Sequence, residues 1–302
     1  MLSKMLPKIH LNKYKKHRAF SIVEIAIVLL IVSLLMAGIL NGTSLISDAS
    51  VATAQKLTTN SEVNTIESLS LWLESSFASS FEAEKDKIEN DAKIIRWKDI
   101  SPLKPVTKKF DLKQTNQANQ PKYKEDVING LPLLYFAGSG ANFLEFTNEA
   151  NQNLVLADVF LQNQATIFVV AMFDNSSAGN SIISFGTNDV VNFGYNSTKM
   201  TMKFNNTATA SQDSFQQKQL QMLTGVKKAD NIMLYLNGNL RGTASNTSAI
   251  GDDDFGIANN MRIRIDENFK GWLGEVLVFN KSLADKERIK VEQYLLKKWR
   301  IK

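Results

Sequence analysis

An apolar run near the amino terminus places the strongest constraint on this chain. Residues 20–40 read FSIVEIAIVLLIVSLLMAGIL and carry one ionisable side chain, Glu24. As a helix that rises about 1.5 Å per residue, the run would span roughly 31 Å, the thickness of the hydrocarbon core of a bilayer. The sequence therefore predicts a transmembrane helix over residues 20–40.

A basic leader, residues 1–19, precedes this run. It contains six lysine or arginine residues and no acid. Because basic flanks stay on the cytoplasmic side, we expect a single-pass inner-membrane protein whose N-terminus is cytoplasmic. Without the leader the chain has 29 basic and 30 acidic residues, and this balance gives no indication of a nucleic-acid partner.

Two other interpretations of the apolar run are open. A cleaved secretory signal would have an apolar core of about 7–15 residues and a small-residue cut site after it. An ordinary uncleaved signal anchor fits the length of the run better. Glu24 weighs against both, because a carboxylate at mid-bilayer costs on the order of 2–3 kcal/mol unless a partner pairs with it.

The residues around the start of the run, KKHRAFSIVE at 15–24, resemble the processing site of type IV pilins and type II secretion pseudopilins. In that family a prepilin peptidase cuts before a Phe, the new N-terminus is methylated, and a Glu lies fifth from the cut. The resemblance implies cleavage between Ala19 and Phe20 and an assembly role for Glu24. The family usually has Gly before the cut, so Ala19 implies slower processing.

Charge pairing gives this resemblance a physical basis. Cleavage before Phe20 creates an α-amine with a pKa of about 7.7–8, which is largely protonated at pH 7. In a filament, Glu24 of one subunit would pair with the amine of its neighbour, since an unpaired charge in low dielectric is costly. The alternative is that Glu24 reaches the membrane interface. The expected partners are the prepilin peptidase and other pilins or pseudopilins.

A helical stem is predicted over residues 41–67. Asn41-Gly42 should break the apolar helix, because both residues weaken helix interiors. Apolar residues then recur at roughly helical spacing from Thr43 to Ile66. This spacing indicates an amphipathic helix that packs on a globular domain.

Residues 68–302 show short β-type runs separated by Asn, Gly, Ser and Asp turns, the pattern of an all-β sandwich or jelly roll. A polar segment, Lys104–Lys124, is predicted to be a long surface loop. The clearest predicted strands are Ile94–Trp97, Leu133–Phe136, Phe143–Phe146, Thr166–Phe173, Ile182–Phe185, Met200–Phe204, Ile232–Leu236 and Trp272–Phe279.

Several motifs in this part resemble the laminin-G-like, concanavalin-like jelly rolls of bacterial surface proteins. LSLWLES at 69–75 and WKDIS at 97–101 resemble their opening. MLYLNG at 233–238 resembles their turn between two long strands, and FKGWLGEVLVF at 269–279 resembles their last strand. The resemblance implies a jelly-roll sandwich with a C-terminal helix, which binds a glycan or a protein ligand.

The closing helix is predicted over residues 287–299. Ser282 and Asp285 have the spacing of a capping box in front of it. Val291 and Leu295 are one helical turn apart, so they fall on one face. This face should pack against the jelly roll.

The inventory of reactive side chains excludes most catalytic classes. The chain has no Cys, and its two His residues, His10 and His17, lie in the leader. A mature chain would therefore have no Ser-His-Asp or Cys-His system and no ordinary zinc site. Glycoside hydrolases of concanavalin-like fold need two carboxylates about 5–5.5 Å apart for retention. Their Glu-x-Asp-x-Glu strand signature is absent, and we expect no enzymatic activity.

The remaining candidates concern binding. Asp252, Asp253 and Asp254 form the densest acidic run, which suits calcium, although a solvated turn is the simpler interpretation. The loop tips at Asp174–Asn180 and Asn205–Ser214 are predicted ligand rims. The tryptophans are predicted to pack in the core rather than stack on sugars, because they lie in predicted strands and helices. They are Trp72, Trp97, Trp272 and Trp299.

Taken together, these features indicate a pilin-like subunit, either a minor pilin or a pseudopilin. Its N-terminal helix would anchor and assemble, and its jelly roll would serve adhesion or secretion in the periplasm or on an extracellular fibre. The alternative is a membrane-anchored carbohydrate-active enzyme or a surface lectin that is not part of a pilus. A carboxylate pair that substrate can reach would favour the enzyme.

Overall fold

The structure is a computed structural model that describes residues 21–85, 87–138, 140–148, 153–174, 180–196, 199–205, 208–214, 216–256, 261–266 and 268–302. Within these ranges, side chains are described everywhere except at 37–44, 180, 208–214 and 253. The chain divides into two compact units, Met1–Leu45 and Ile46–Lys302, which we describe separately.

A single helix, α1, extends from Ile22 to Thr59. Its backbone remains helical at Asn41-Gly42, so the predicted break there is wrong. Glycine costs a helix only about 1 kcal/mol and Asn less, and the cooperative turns on either side offset this. The predicted second helix, Thr43–Ile66, is the later part of α1 followed by a 3-10 helix over Glu62–Thr65.

In the first unit, the apolar side chains of α1 between Ile22 and Met36 are exposed, from 43% for Val32 to 86% for Ile22. Across the residues that the structure describes, no helix combines the length and the apolar character needed to cross a membrane. Phe20 and the side chains of residues 37–40, which belong to the predicted span, lie outside the described residues.

The second unit consists of short strands and two further helices, α2 (Asp252–Phe255) and α3 (Asp285–Trp299). The strands are β1 (Leu69–Glu74), β2 (Phe81–Ala83), β3 (Ile94–Trp97), β4 (Leu112–Lys113), β5 (Lys122–Ile128), β6 (Leu131–Ala137), β7 (Leu144–Thr147), β8 (Ala165–Phe173), β9 (Asn180–Phe185), β10 (Val191–Asn196), β11 (Lys199–Phe204), β12 (Ala208–Ser214), β13 (Leu220–Lys228), β14 (Asn231–Leu236), β15 (Asn239–Ser245), β16 (Arg262–Ile265) and β17 (Lys270–Phe279).

These strands form two antiparallel sheets. Sheet A has the order β15-β14-β13-β8-β17-β6-β5, and β1 also pairs with β17. Sheet B has the order β12-β11-β10-β9-β16-β7-β4-β3-β2. Neighbours in each sheet are often distant in the chain, as in a jelly roll. The predicted all-β sandwich with a C-terminal helix is confirmed.

The two sheets differ in what covers them. Their facing sides enclose the main apolar core, to which Leu71, Val169 and Phe193 belong. A second apolar cluster joins the outer side of sheet A to the helices, through Ala54 of α1 and Leu295 of α3 among others. Sheet A is therefore buried on both faces, and all nine residues of β8 are buried. Sheet B has one packed face.

The eight predicted strands are all present, with ends that differ by at most two residues. The predicted Asn237-Gly238 turn joins β14 to β15, and both residues have positive φ, as this hairpin turn requires. The predicted loop Lys104–Lys124 is wrong in part, since it includes β4 and the start of β5. Its Phe110 and Leu112 are fully buried in the main core, which the polar residues around them conceal in the sequence.

The helix α3 begins differently from the prediction. Its N-cap is Ala284, whose backbone N–H donates to Glu287 Oε2 at 3.2 Å. Ser282 does not cap the helix, because its hydroxyl donates to Gln164 Oε1 at 3.1 Å. Val291 and Leu295 are buried, as their spacing predicts.

The close approach of the two sheets should make Gly225 of β13 intolerant of a side chain. A Cβ there would lie 2.7 Å from Met202 Sδ and 2.8 Å from Phe193 Cε2, both in sheet B. We expect Gly225→Ala to lower the free energy of unfolding by about 1–3 kcal/mol through overpacking. Gly251→Ala is the control, since nothing lies within 4 Å of its Cβ. Equal urea midpoints for the two variants would contradict this packing of the sheets.

Candidate functional site

The outer face of sheet B carries a continuous row of polar side chains. Eight neighbouring strands each contribute one residue to this row, and the strand register pairs each of these residues with the one on the adjacent strand. Alternate residues on these strands enter the main core, so the row points away from it. In order across the sheet, the row is Glu82, Arg96, Lys113, Glu145, Arg264, Ser184, Asn192 and Lys203.

A cleft of ≈ 410 Å³ opens beside one end of this row. Its floor is formed by β3, β4 and β7. Its wall is formed by part of the segment 101–111, which leads to β4 and which we call the wall segment. Val106 is 83% exposed, which leaves an apolar side chain at the rim. The charged and aromatic residues that line the cleft are Arg96, Lys109, Asp111, Lys113, Phe143 and Glu145.

The charges in the cleft differ in how far they are neutralised. Arg96 is held by two acids, through Nε to Glu82 Oε2 at 2.9 Å and Nη1 to Asp111 Oδ2 at 3.4 Å. Within the described part of the chain, neither Lys109 nor Glu145 makes a side-chain hydrogen bond or ion pair. The cleft therefore presents a free ammonium and a free carboxylate to a ligand.

Phe143 gives the cleft an aromatic side. The Arg264 guanidinium lies over its ring, with Cζ 4.2 Å from the centroid. An aromatic face combined with polar groups of both kinds is what sugar recognition requires, because sugar rings present C–H faces and hydroxyl edges.

Asp99 fixes the segment that forms the wall of the cleft. The carboxylate is buried and accepts from the backbone N–H of Trp72 at 3.0 Å, of Ser101 at 3.0 Å and of Phe110 at 3.1 Å. The Ser101 hydroxyl donates to it as well. One side chain thus ties both ends of residues 101–110 to β1.

Lys104 lies within the same segment and is also largely buried. Its Nζ donates to the Ser70 carbonyl at 2.6 Å and lies 3.8 Å from the centroid of the Phe110 ring. Burial lowers the pKa of Lys104 to about 8, and the nearby Asp99 opposes this change. The ammonium packs the wall segment against β1 rather than facing the cleft.

Removal of the Asp99 carboxylate should loosen this wall. We expect Asp99→Ala to lower the free energy of unfolding by about 3 kcal/mol, because several buried N–H groups lose their acceptor. Urea unfolding would measure the change, with the exposed Glu125→Ala on edge strand β5 as control. A loss no larger than that of the control would show that the wall does not depend on Asp99.

A second group of charges is buried between sheet A and the helices. Lys298 Nζ of α3 lies 2.5 Å from Glu74 Oε1 of β1 and 2.8 Å from Glu275 Oε2 of β17, and all three side chains are 0% exposed. Trp72 Nε1 donates to Glu275 Oε1 at 2.7 Å, and Trp299 Nε1 donates to Glu275 Oε2 at 2.8 Å. We call Glu74, Glu275 and Lys298 the buried charge cluster.

The buried charge cluster brings together two carboxylates, as a glycoside hydrolase requires. Both contact the same ammonium, so they are close enough to flank a glycosidic bond. No surface of either carboxylate is exposed, however; the Lys298 ammonium contacts both, and two indole N–H groups donate to Glu275. A sugar therefore has no access to this pair.

Burial raises the pKa of Glu275, and the Lys298 ammonium opposes the rise in part. A carboxyl group whose pKa is raised in the folded state stabilises the fold at low pH, and this contribution is lost as the pH rises through the folded-state pKa. We therefore expect the free energy of unfolding to decrease as the pH rises above about 4.5, the unperturbed pKa of Glu.

Glu275→Gln should reduce this pH dependence, because it removes the titrating group and keeps much of the side-chain shape. Urea unfolding of both proteins between pH 4 and pH 8 measures the two slopes. Glu82→Gln, at the exposed edge of sheet B, is the matched control. If the free energy of unfolding has the same slope with pH in Glu275→Gln as in the wild type, other groups cause the pH dependence.

The tryptophans are placed mostly as predicted. Trp72, Trp97 and Trp299 are buried, which confirms core packing for these three. Trp272 is half-buried on the outer side of sheet A and packs on Tyr135, with ring centroids 5.0 Å apart. Two of the buried tryptophans also donate hydrogen bonds in the buried charge cluster, a role that sequence spacing does not reveal.

The acidic run forms the one-turn helix α2. Asp252 Oδ1 accepts from Gln162 Nε2 at 2.7 Å, and the side chain of Asp253 is outside the described set. Among the described residues, no group of three or more acidic or histidine side chains is arranged to hold a metal ion. Calcium binding by Asp252, Asp253 and Asp254 stays a prediction.

The predicted processing and rim residues fall largely outside the described residues. Ala19 and Phe20 lie there, as do residues 175–179 and the side chains of 206–215. Glu24 is described in the first turn of α1, where its Oε2 accepts from the Ser21 backbone N–H at 2.8 Å. This bond satisfies one of the free N–H groups at the helix start.

The fold has known counterparts. Residues 148–287 match the family Laminin_G_3, described as the concanavalin A-like lectin/glucanases superfamily. The match supports a concanavalin-like jelly roll over these residues. A comparison with curated proteins gives no match.

Solved structures of similar fold include a Trypanosoma rangeli sialidase, 11% identical with a TM-score of 0.50, over 82% of this chain and 38% of that chain. The same sialidase in complex with sialic acid is 12% identical with a TM-score of 0.50, over 77% and 33%. Domain 4 of AbnA, a GH43 extracellular arabinanase from Geobacillus stearothermophilus, in complex with arabinotriose, is 14% identical with a TM-score of 0.42, over 60% and 83%. The chain spans about a third of the length of the sialidases, and identities this low show the fold alone.

Proposed function

We propose that residues 46–302 are a glycan-binding module that binds its ligand on the outer face of sheet B, in the cleft lined by Lys109, Lys113 and Glu145. The observation that carries the proposal is the combination of a ≈ 410 Å³ cleft with a free ammonium, a free carboxylate and an aromatic ring. The match to a superfamily described by lectins and glucanases supports the ligand class.

The location of the cleft agrees with this role. The helices cover the outer face of sheet A, whereas the row on the outer face of sheet B keeps several partly exposed polar side chains. Beyond the cleft these include Arg264 of β16 and Asn192 of β10, while Ser184 between them is fully buried. An oligosaccharide could therefore extend from the cleft to Arg264.

We further propose that the module binds without catalysis. The two carboxylates of the buried charge cluster are sealed from solvent. In the cleft, Asp111 is already engaged by Arg96 and by the Asp99 backbone N–H, which leaves Glu145 as the free carboxylate among the described residues. One available carboxylate does not supply the acid and nucleophile that glycoside hydrolysis needs.

A glycan array probed with the full chain in detergent tests the proposal. We expect specific binding to a subset of glycans, weakened at least ten-fold by Lys109→Ala and by Glu145→Gln in titration calorimetry, because each loses a direct hydrogen bond to the sugar. Lys199→Ala, an exposed residue at the far side of sheet B, is the control. An array with no specific binding, or binding that these variants leave unchanged, would refute this site.

A second candidate function concerns the N-terminal helix. We propose that α1 anchors the chain in the inner membrane as a single pass and assembles it with other pilins or pseudopilins, after a prepilin peptidase cuts between Ala19 and Phe20. The supporting observation is Glu24 in the first turn of a helix whose apolar side chains are exposed as far as Met36. Exposed apolar side chains on a helix need a bilayer or other helices around them.

In this candidate function, the glycan-binding module would face the periplasm or lie on the outside of an extracellular fibre. There it would serve in adhesion or in secretion. The family match covers residues 148–287 only, so it supports the module and not the helix. A surface lectin on an uncleaved anchor is the competing version, and it differs in having neither processing nor assembly.

Glu24→Ala distinguishes these versions. We expect normal membrane insertion but loss of fibre or complex incorporation, because the α-amine of a neighbouring subunit loses its partner. Asp48→Ala, an exposed acid later on the same helix, should behave like the wild type. Normal incorporation of Glu24→Ala, measured by cross-linking in membranes, would leave the surface lectin as the better interpretation.

A further inference from the structure

The buried charge cluster has an imbalance that an ordinary ion pair lacks. Two carboxylates, Glu74 and Glu275, share one ammonium, and all three side chains are fully enclosed. Left as three ions, the cluster would hold a net negative charge without solvent, which is costly in low dielectric. A reaction that converts the ammonium and one carboxylate into an uncharged group would therefore remove two of the three buried charges.

Aromatic side chains enclose the buried charge cluster. The Trp299 ring lies 5.2 Å from Lys298 Nζ, and Trp72 donates its indole N–H to Glu275 from the other side. The Tyr294 hydroxyl donates to Glu275 Oε1 at 2.7 Å. An amino group and a carboxyl group that are held in contact inside such an enclosure are the reactants of an amide bond at high effective concentration.

We propose that Lys298 and Glu74 become joined by an intramolecular amide bond, formed within the folded chain with Glu275 as the proton relay. The bond would link Nζ of Lys298 to Cδ of Glu74 and release one water. It would be a covalent connection between β1, the first strand, and α3, the last helix.

The geometry assigns Glu74 as the electrophile. Its Oε1 is the carboxylate oxygen nearest to Lys298 Nζ, at 2.5 Å. The backbone N–H of Phe77 donates to Oε2 at 3.1 Å, where negative charge develops when the amine adds. Preorganised backbone donors stabilise such an oxyanion.

The reaction balances without any further reactant. A proton passes from the Lys298 ammonium to Glu74, which gives an amine and a carboxylic acid. The Nζ lone pair forms a bond to Cδ, and the C=O electron pair moves to Oε2. The added nitrogen gives a proton to Glu275 Oε2, which lies 2.8 Å from Nζ. Glu275 passes this proton on to Oε1, and the Cδ–Oε1 bond breaks as water leaves and the electron pair on Oε2 re-forms the C=O bond. Glu275 ends in its starting state, and nothing is oxidised or reduced.

The released water has a route out. A cleft of ≈ 280 Å³ lies against the cluster and is lined by Trp72, Phe77, Thr58 and Ser80. Thr58 Oγ1 is 3.0 Å from the Tyr294 hydroxyl, which contacts both Lys298 and Glu275. Departure of the water into this cleft would favour the amide over its hydrolysis.

Peptide mass spectrometry of the full chain tests the proposal. The wild-type protein is incubated at neutral pH, denatured, labelled with an amine reagent and digested. We expect a joined pair of peptides, one with Glu74 and one with Lys298, lighter by one water than the two separate peptides. Lys227 is the internal control, because it is also buried and its ammonium donates to two backbone carbonyls, those of Ala229 and Asn246, rather than to a carboxylate among the described residues.

Two variants define the chemistry. Lys298→Arg should give only separate peptides, because the guanidinium cannot form this amide. Glu275→Gln keeps both reactants but removes the relay, and the joined fraction should fall at least ten-fold. If the denatured wild-type chain yields separate peptides with Lys298 labelled as completely as Lys227, no bond forms, and the proposal is overturned whatever the variants do. This outcome would leave the glycan-binding module unaffected.

Discussion

The rest of the globular unit depends on one ammonium held between two carboxylates. Lys298 comes from the last helix, Glu74 from the first strand and Glu275 from the last strand, so the contact closes the fold at both ends of its sequence. Tyr294, one turn before Lys298, extends the contact to α1 through Thr58. Loss of one partner would leave an uncompensated buried charge, which costs about 3–5 kcal/mol. The helices therefore cannot leave sheet A without exposing this cluster.

That arrangement decides where a ligand can bind. Because α1 and α3 occupy the outer side of sheet A, that sheet can offer no broad surface to a sugar. The outer face of sheet B is partly exposed, and its strand register aligns polar side chains from eight strands into one row, of which Ser184 alone is fully buried. Residues 46–302 contain equal numbers of basic and acidic residues, 29 of each. The unit therefore has no net charge that would attract a charged ligand from a distance. Recognition there would depend on individual hydrogen bonds rather than on long-range attraction.

The sequence predicts the strands well and the sites poorly, for one physical reason. A strand is a local pattern of alternating or continuous apolar residues, and β3, β8 and β17 are visible from such patterns. The cleft and the buried charge cluster are formed by residues far apart in the chain, which only the strand register brings together. Glu74 and Lys298 are separated by 224 positions, and nothing near either residue marks the other as its partner. The sequence predicted a surface loop over Lys104–Lys124 for a related reason. Its apolar residues Phe110 and Leu112 are isolated among polar neighbours, so no local pattern shows that they are buried.

The order of the elements along the chain suggests that the buried charge cluster helps the globular unit to resist a pulling force. A chain that is held by its N-terminal helix receives force through α1 and then through β1, the strand that follows it. Without the attachment of α3 to β1, this force would pass mainly to β17, through its hydrogen bonds with β1, and to the segment that Asp99 and Lys104 tie to β1. The contact of Lys298 with Glu74 passes the load to the C-terminal helix as well, so nearly the whole globular unit resists together. An ion pair can separate once water enters, whereas an amide at the same place would hold until a covalent bond breaks, which suits a module that holds a ligand under tension.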